Sequence, residues 1–242
     1  HYSIFMENNN RYLESCAAGE RSGLYFTCIN SFLTSDELAY IINNSESQIL
    51  ITSMSKLEAA QEALAQCTAI KEVLVVGAGD ADLPEGMSDF ASTLSKYPET
   101  PLEGELLGAA MLYSSGTTGR PKGIVRPLPE QSPNEPLPVI GFLSGLWRYR
   151  EDMIYLSPAP LYHSAPQAAV GLTLRMGGTV VIMERFDPAD YLRFVEEYQV
   201  SHSQLVPTMF SRMLKMPEED RTKYDLSSLE VAVHAAAPCP VL

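Results

Sequence analysis

The chain has 242 residues, of which 45% are hydrophobic and 19% are charged, as is typical of a soluble globular protein with one or two domains. Its formal net charge of −13 argues against nucleic acid and against anionic membrane surfaces as partners. No apolar run is long enough to span a membrane and no signal peptide is recognisable, so we expect no integral membrane segment. The four cysteines are far apart and form no CxxC pair. That spacing favours reduced, mostly buried thiols and a cytoplasmic location over disulfides or a zinc site.

Helical and strand-like patterns alternate through the first third of the chain. Helices are predicted over 6–18, 34–42 and 55–67, and strands over 24–29, 48–52 and 72–76. Two of the helices are expected to begin at capping boxes, Thr34-x-x-Glu37 and Ser55-x-x-Glu58. Because strand and helix alternate, we predict an α/β fold with mostly parallel sheets flanked by helices.

Residues 75–80, with the sequence VVGAGD, begin like the glycine-rich fingerprint of a dinucleotide-binding fold. The position of the third glycine is taken by Asp82, however, and the LPEG sequence that follows does not start a helix. Two aspartates beside a pyrophosphate would also repel it. We therefore predict an acidic turn, and after it a polar connector over 92–104.

The second half of the chain continues the alternation. A loop with five prolines over 126–138 is expected to be exposed, and a helix over 139–147 is expected to pack on the core. Strands are predicted over 153–157, 178–183, 202–206 and 229–233, with helices that end near 174, begin at Asp187-Pro188 and begin at Pro207. The inward residues of the last two helices are expected to be Tyr191, Phe194, Val195 and Tyr198, then Phe210, Met213 and Leu214.

The most distinctive segment, YSSGTTGRPKG, occupies residues 113–123 and follows an apolar run over 109–112 that we predict to be a buried strand. Its glycines allow sharp turns and close approach to a ligand, and successive N–H groups can form a nest for anionic oxygens. Serine and threonine hydroxyls add donors, and Lys122 adds positive charge. This composition predicts a polyphosphate-binding loop, the alternative being a Ser/Gly-rich surface turn. It is not a Walker A loop, because two residues separate Gly119 from Lys122.

The segment resembles the phosphate-binding signature of the adenylate-forming (AMP-binding) enzymes, the superfamily of acyl-CoA synthetases, luciferases and peptide-synthetase adenylation domains. Every defined position of that signature is matched. Three later segments follow the family's order: PLYHS over 160–164, LVPT over 205–208 and AAAP over 235–238, the last resembling the family's Gly-Gly-Ala-Pro adenine loop. Alanines at 235 and 236 depart from that loop, which leaves its residue-level roles open. The amino-acid sequences of these segments are most similar to those of bacterial acyl-CoA synthetases for fatty or related acids.

The resemblance implies a nucleotide site, with Lys122 and Thr118 as the catalytic candidates. The implied nucleotide-binding residues are Ser114, Ser115, Gly116, Thr117, Thr118, Gly119, Lys122, Ala236, Ala237 and Pro238. His163 is expected to line the acyl or carboxylate pocket; outside the family pattern, a single histidine beside apolar residues would be structural. His234, next to the adenine loop, is a candidate for nucleotide contact.

The activity implied is ATP-dependent conversion of a carboxylic acid, of the fatty-acid type, to an acyl-adenylate and then to acyl-CoA. ATP, Mg²⁺ and coenzyme A are the implied cofactors, with the Mg²⁺ ligand expected outside this chain. The resemblance covers nearly the whole sequence and implies an incomplete N-terminal AMP-binding domain, with a first α/β lobe and connector over 1–104 and a loop-bearing lobe over 105–242. The family's later motifs and C-terminal domain are not found.

Two alternatives remain open. In the first, the chain by itself is a nucleotide-binding module without turnover. In the second, the longer protein to which it belongs is an adenylate-forming enzyme with an acceptor other than coenzyme A. A P-loop phosphotransferase has the wrong glycine–lysine spacing, and no G-x-S-x-G or H-E-x-x-H motif supports a serine hydrolase or a zinc protease. We expect the isolated chain to be inactive.

Overall fold

The computed structural model describes residues 1–114, 120–235 and 237–238. It contains two compact units, His1–Glu135 and Pro136–Leu242. The boundary predicted between residues 104 and 105 falls inside the first unit. Parallel sheets flanked by helices form both units, so the predicted α/β class is confirmed.

The first unit is built on a parallel sheet with the strand order β5-β4-β3-β1-β2-β6. Its strands are β1 (Tyr2–Phe5), β2 (Tyr25–Cys28), β3 (Ile49–Ser53), β4 (Glu72–Val76), β5 (Met87–Asp89) and β6 (Ala109–Ala110). The helices are α1 (Asn10–Arg21), α2 (Ser35–Asn44), α3 (Leu57–Leu64) and α4 (Phe90–Leu94). A two-stranded sheet, β7 (Leu112–Tyr113) with β8 (Gly123–Ile124), carries the segment predicted to bind phosphate.

Strand β1 lies in the middle of this sheet, and the sequence patterns missed it. All four of its residues are buried, and it pairs in parallel with β2 on one side and with β3 on the other. The helix predicted from residue 6 instead begins at Asn10, because the side chain of Asn9 caps it by accepting a hydrogen bond from the Tyr12 N–H. A short strand buried on both faces shows no alternation, so no period marks it.

One of the two capping boxes is confirmed and the other is wrong. Thr34 and Glu37 form both reciprocal hydrogen bonds at the start of α2. At the second box, the Ser55 hydroxyl donates to Glu7 Oε2 at 2.5 Å instead of capping a helix. A 3-10 turn over Met54–Lys56 precedes α3, which begins at Leu57 without a side-chain cap.

The glycine-rich segment after β4 is an acidic turn, as predicted. Gly77 and Gly79 have φ angles of +78° and +54°, a region that favours glycine. The turn leads to strand β5 and not to a helix. Asp89 closes the segment, since its carboxylate accepts hydrogen bonds from the N–H groups of Gly79 at 3.1 Å and Ser92 at 2.7 Å. Asp89 thereby caps α4, a short helix whose last three residues overlap the start of the polar connector predicted over 92–104.

The second unit has a parallel sheet with the strand order β10-β9-β11-β12. Its strands are β9 (Ile154–Ser157), β10 (Thr179–Ile182), β11 (His202–Leu205) and β12 (Val231–His234). The helices are α5 (Pro138–Trp147), α6 (Ser164–Arg175), α7 (Pro188–Glu197), α8 (Pro207–Leu214) and α9 (Glu218–Arg221). Each strand lies within three residues of its predicted bounds.

Three predictions about burial in the second unit are wrong. Helix α5 was expected to pack on the core, but none of its residues is buried and Phe142 is 69% exposed. Tyr198 and Leu214, expected to face inward, are 42% and 57% exposed because each lies where its helix ends. Leu192 and Met209 fill the core in their place.

Three of the cysteines carry no disulfide, in agreement with the sequence analysis. Cys16 and Cys28 are buried, with their sulfur atoms 3.7 Å apart, and Cys67 is partly buried. The predicted thiol at residue 239 lies outside the described residues. Within the described ranges, every helix is too short or too polar to cross a bilayer.

Gly108, just before β6, can be replaced only at high cost. A Cβ atom there would overlap the backbone carbonyl oxygens of Gly19 and Leu24. We predict that Gly108→Ala lowers the free energy of unfolding by at least about 2 kcal/mol, the scale of overpacking that backbone atoms cannot relieve. Gly141→Ala is the control, because a Cβ at that helical position meets nothing within 4 Å. It should stabilise the protein by about 0.5–1 kcal/mol. Urea denaturation measures both, and a Gly108→Ala variant as stable as the parent would contradict the packing argument.

Acid should destabilise the second unit through His202. Its imidazole is buried, with Nε2 lying 3.0 Å from the Trp147 carbonyl oxygen and Nδ1 lying 2.8 Å from the Ser201 hydroxyl. Burial lowers the pKa of His202, while the bond to Trp147 acts in the opposite direction. The folded state therefore binds fewer protons than an unfolded histidine, whose pKa is about 6.5.

We accordingly expect the free energy of unfolding to fall as the pH drops below about 6.5. His202→Gln keeps an N–H donor for Trp147 but cannot titrate, so it should flatten this dependence. Urea denaturation between pH 7.5 and pH 5 measures both slopes. Equal slopes in the two proteins would show that His202 does not carry the effect.

Candidate active site

The two limbs of the predicted phosphate loop are tied together at its base. Strands β7 and β8 pair antiparallel, with Tyr113 opposite Gly123. The Ser114 N–H donates to the Lys122 carbonyl oxygen at 3.0 Å, and the Lys122 N–H donates to the Ser114 hydroxyl oxygen at 3.2 Å. The structure therefore brings Ser114 and Lys122 together. The other predicted residues of the loop, 115–119, lie outside the described residues.

The chain enters this hairpin from the edge of the six-stranded sheet. The predicted buried strand over 109–112 is split: β6 pairs with β2, and β7 pairs with β8. Met111 lies between them and is buried, and its N–H donates to the Phe26 carbonyl oxygen at 2.8 Å. The chain turns out of the sheet after this bond, which places the paired strands β7 and β8 beyond the carboxyl end of β6.

Gly123 lets the two limbs approach closely. A Cβ atom at this position would lie 2.5 Å from Met111 Cε and 3.0 Å from Tyr113 Cζ. The end of the flexible Met111 side chain would have to shift and the Tyr113 ring would have to move slightly to admit a Cβ atom, so packing favours glycine at the end of the signature. This preference concerns the hairpin and is independent of any ligand.

Helix α2 contacts both limbs of the hairpin. The Tyr40 hydroxyl donates to the Pro121 carbonyl oxygen at 3.0 Å, and the Arg120 guanidinium lies 4.9 Å from the centre of the Tyr40 ring. On the other limb, the Tyr113 hydroxyl donates to Asn44 Oδ1 at 2.8 Å. Burial, with a smaller contribution from Tyr40, raises the pKa of Tyr113 to about 12, so the phenol remains a donor at neutral pH.

The sequence analysis did not single out Tyr40 or Asn44 for the site. The available signal was their spacing of four residues, which places both on one side of a helix whose other residues, such as Leu38 and Ile42, are buried. That pattern marks a polar face but does not say what the face contacts.

Lys122 is exposed and forms no ion pair with any residue in the described part of the chain. Arg120 and Arg126 are exposed on the same segment. Three cations within seven residues contrast with the net charge of −13 for the whole chain. This part of the first unit can therefore attract an anion that the rest of the surface repels.

In the second unit, the PLYHS, LVPT and AAAP segments that resemble the family's motifs follow three parallel strands. His163 comes after β9, Pro207 comes two residues after the end of β11, and Ala235 directly follows β12. Because β9, β11 and β12 are parallel neighbours, these segments lie at the same edge of the sheet. The carboxyl edge of such a sheet is where α/β proteins bind ligands. Ala237 and Pro238 are exposed there, and Ala236 lies outside the described residues.

His163 caps helix α6 with its backbone and leaves its imidazole available. Its carbonyl oxygen accepts a hydrogen bond from the Gln167 N–H at 3.1 Å, and its side chain makes no capping bond. The ring lies against Tyr162, with 4.5 Å between ring centres. Partial burial lowers the pKa of His163, so the imidazole is neutral at pH 7. A neutral, accessible ring suits a pocket wall.

His234 ends β12 immediately before the predicted adenine loop. Its ring stacks on Phe210 with 5.4 Å between centres and 24° between planes. Its Nε2 atom is buried and has no hydrogen-bond partner among the described residues. Such an atom is costly unless water or a ligand satisfies it, so the expectation of a nucleotide contact stays a prediction.

Among the described residues, no three His, Cys, Asp or Glu side chains come together in a way that could hold a metal ion. A Mg²⁺ ligand from outside this chain therefore stays a prediction.

Comparison with known proteins finds similarity to one enzyme family over nearly the whole sequence. The family of AMP-binding enzymes matches residues 1–241. Similar proteins include 4-coumarate–CoA ligase 1 of Petroselinum crispum, 28% identical over 97% of this chain and 42% of its own length. The medium/long-chain-fatty-acid–CoA ligase FadD8 of Mycobacterium tuberculosis is 27% identical over 95% of this chain and 40% of its own length. The chain thus spans about two fifths of the length of these curated relatives.

Solved structures share the fold. The N-terminal domain of FACL13 from Mycobacterium tuberculosis superposes with a TM-score of 0.78 at 20% identity, over 99% of this chain and 57% of that chain. MatB from Rhodopseudomonas palustris, solved with ATP bound, superposes with a TM-score of 0.72 at 24% identity, over 98% of this chain and 45% of that chain. At these identities the superpositions establish the fold alone.

Proposed function

Because this chain belongs to the AMP-binding enzyme family, we propose that it is the nucleotide-binding part of an enzyme that activates a carboxylic acid with ATP. The observation that carries the proposal is the tied hairpin, which presents Ser114 and an exposed Lys122 at the two ends of a glycine-rich loop. A loop of this kind binds phosphate oxygens through its backbone and its cation. The similarity to two acid–CoA ligases supports the choice of reaction.

The proposed reaction has two steps. The substrate carboxylate attacks the α-phosphorus of ATP, forming an acyl-adenylate and releasing pyrophosphate. The thiolate of coenzyme A then attacks the acyl carbon, forming the thioester and releasing AMP. Both steps depend on holding the reactants in line and on balancing negative charge at the phosphate oxygens.

The loop residues have distinct proposed roles. The backbone and hydroxyls of residues 114–119 hold the β- and γ-phosphates, Thr118 among them as a hydroxyl donor. Lys122 balances the charge of the departing pyrophosphate. In the second unit, Ala236, Ala237 and Pro238 border the adenine, and His163 lines the acid pocket as a neutral ring. Mg²⁺ would supply further charge balance at the phosphates, held by residues from outside this chain.

For the substrate we propose a fatty acid, with coenzyme A as the acceptor and the cytoplasm as the location. FadD8, whose name gives medium- and long-chain fatty acids, supports this choice. The similarity to 4-coumarate–CoA ligase 1 makes an aromatic acid the competing substrate class. Two further alternatives are a nucleotide-binding module without turnover and an enzyme with another acceptor.

We predict that Lys122→Ala in the full-length gene product lowers acid-dependent ATP–pyrophosphate exchange at least about tenfold, since a charge-assisted hydrogen bond contributes about 1.5–3 kcal/mol. Lys96→Ala is the matched control, because it removes an exposed lysine of the same unit away from the hairpin. An unchanged exchange rate in Lys122→Ala would exclude Lys122 from the mechanism.

The substrate class is tested by the same exchange assay with a panel of acids, from acetate to long-chain and aromatic acids. We expect the highest kcat/KM with a fatty acid and thioester formation when coenzyme A is added. Exchange that responds only to 4-coumarate and related aromatic acids would contradict the fatty-acid proposal. Exchange without thioester formation would indicate another acceptor, and nucleotide binding without exchange would indicate a module without turnover.

A further inference from the structure

Helix α2 touches the phosphate-loop hairpin at positions that directly flank the loop. Tyr40 contacts Arg120 and Pro121 on the returning limb, and Asn44 contacts Tyr113 on the outgoing limb. Residues 115–119 lie between these contacts in sequence. One face of α2 therefore restrains both ends of the segment proposed to hold phosphate.

Tyr40 makes two separate contacts with the returning limb. Its ring packs under the Arg120 guanidinium at 4.9 Å, a distance within the range of a cation–π interaction. Its hydroxyl donates to the Pro121 carbonyl oxygen at 3.0 Å, a distance within the usual range for such a hydrogen bond. The next residue along the chain is Lys122. Fixing Arg120 and Pro121 therefore fixes the backbone from which the Lys122 side chain extends.

The support itself is rigid. The capping box of Thr34 and Glu37 secures the start of α2. Leu38 and Ile42 on its inner side are buried in the hydrophobic core of the first unit, and Tyr40 packs against the same core. A side chain on such a helix has little conformational freedom, so the contacts of Tyr40 can fix the positions of Arg120 and Pro121.

The returning limb of the hairpin benefits from such a support. Holding a backbone in one conformation costs conformational entropy. Restraining Arg120 and Pro121 beforehand reduces that cost when Lys122 binds an anion, and so strengthens binding of the anion. Such pre-organisation affects the ligand that Lys122 binds and leaves ligands held elsewhere unaffected.

We propose that Tyr40 is a positioning residue for the nucleotide, since its ring and hydroxyl hold Arg120 and Pro121 so that Lys122 is placed to receive the phosphates. The inference rests on the proposed function. Tyr40 touches neither substrate nor reacting atoms in this account, and it acts through the returning limb.

The two contacts of Tyr40 can be removed one at a time. Tyr40→Phe removes the hydroxyl and keeps the ring under Arg120, whereas Tyr40→Leu removes both contacts and keeps an apolar side chain against the core. Tyr25→Phe is the matched control. Its hydroxyl also donates to a backbone carbonyl oxygen of this segment, that of Arg126 at 2.5 Å, but beyond the hairpin.

In the full-length gene product, we expect Tyr40→Phe to raise the KM for ATP about threefold and Tyr40→Leu to raise it about tenfold in the exchange assay, because the first variant removes one weak interaction and the second removes two. The KM for the acid should change by less than about twofold. Tyr25→Phe should match the parent. Equal increases in both KM values, or no change in the KM for ATP, would overturn the inference.

A readout that needs no turnover separates this inference from the proposed function. Hydrogen exchange of the Ser114 and Lys122 amides, both in the hairpin base, should be about tenfold faster in Tyr40→Leu than in the parent and unchanged in Tyr25→Phe. If the parent shows no exchange of pyrophosphate with any acid, the proposed function fails while this measurement still tests the support. Unchanged amide exchange in Tyr40→Leu would overturn the positioning role.

Discussion

The double pairing of β1 holds the first unit together. This strand bonds in parallel to β2 on one side and to β3 on the other, with all four of its residues buried. On the far side of β2 lies β6, and the hairpin with its glycine-rich segment begins directly beyond β6. The position of the proposed phosphate site therefore depends on two strand pairings, β1 with β2 and β2 with β6, and so on a strand of only four residues.

The two units present different kinds of candidate recognition element. The first presents a hairpin whose limbs are tied to each other and to α2, with exposed cations on an acidic chain. The second presents the carboxyl edge of a parallel sheet, where a neutral histidine and short alanine- and proline-containing turns lie. Exposed cations mark the first element, whereas an uncharged ring and small apolar residues mark the second.

Sequence reasoning recovered most of the strands because hydrophobic runs between turn residues are a local signal, and it recovered the α2 capping box because its two residues suffice to form it. It missed β1, whose identity depends on neighbours distant in sequence. It misassigned Ser55 because Glu7, far away in sequence, competes for the hydroxyl. The phosphate-loop motif was found from its residue types and spacing. The support from Tyr40 and Asn44 was not found, since their spacing of four residues marks a helix face without indicating what that face contacts.

Strand β6 joins the sheet through only two residue pairs, with Tyr25 and Phe26. An edge with so few ladder bonds separates at a lower free-energy cost than the five-residue pairing of β3 with β4. Warming should therefore loosen the hairpin while the centre of the sheet is still intact. On the proposed function, nucleotide affinity would then fall at temperatures where circular dichroism still reports a folded protein. A bound nucleotide would delay that loss by stabilising the pairing of β6 with β2.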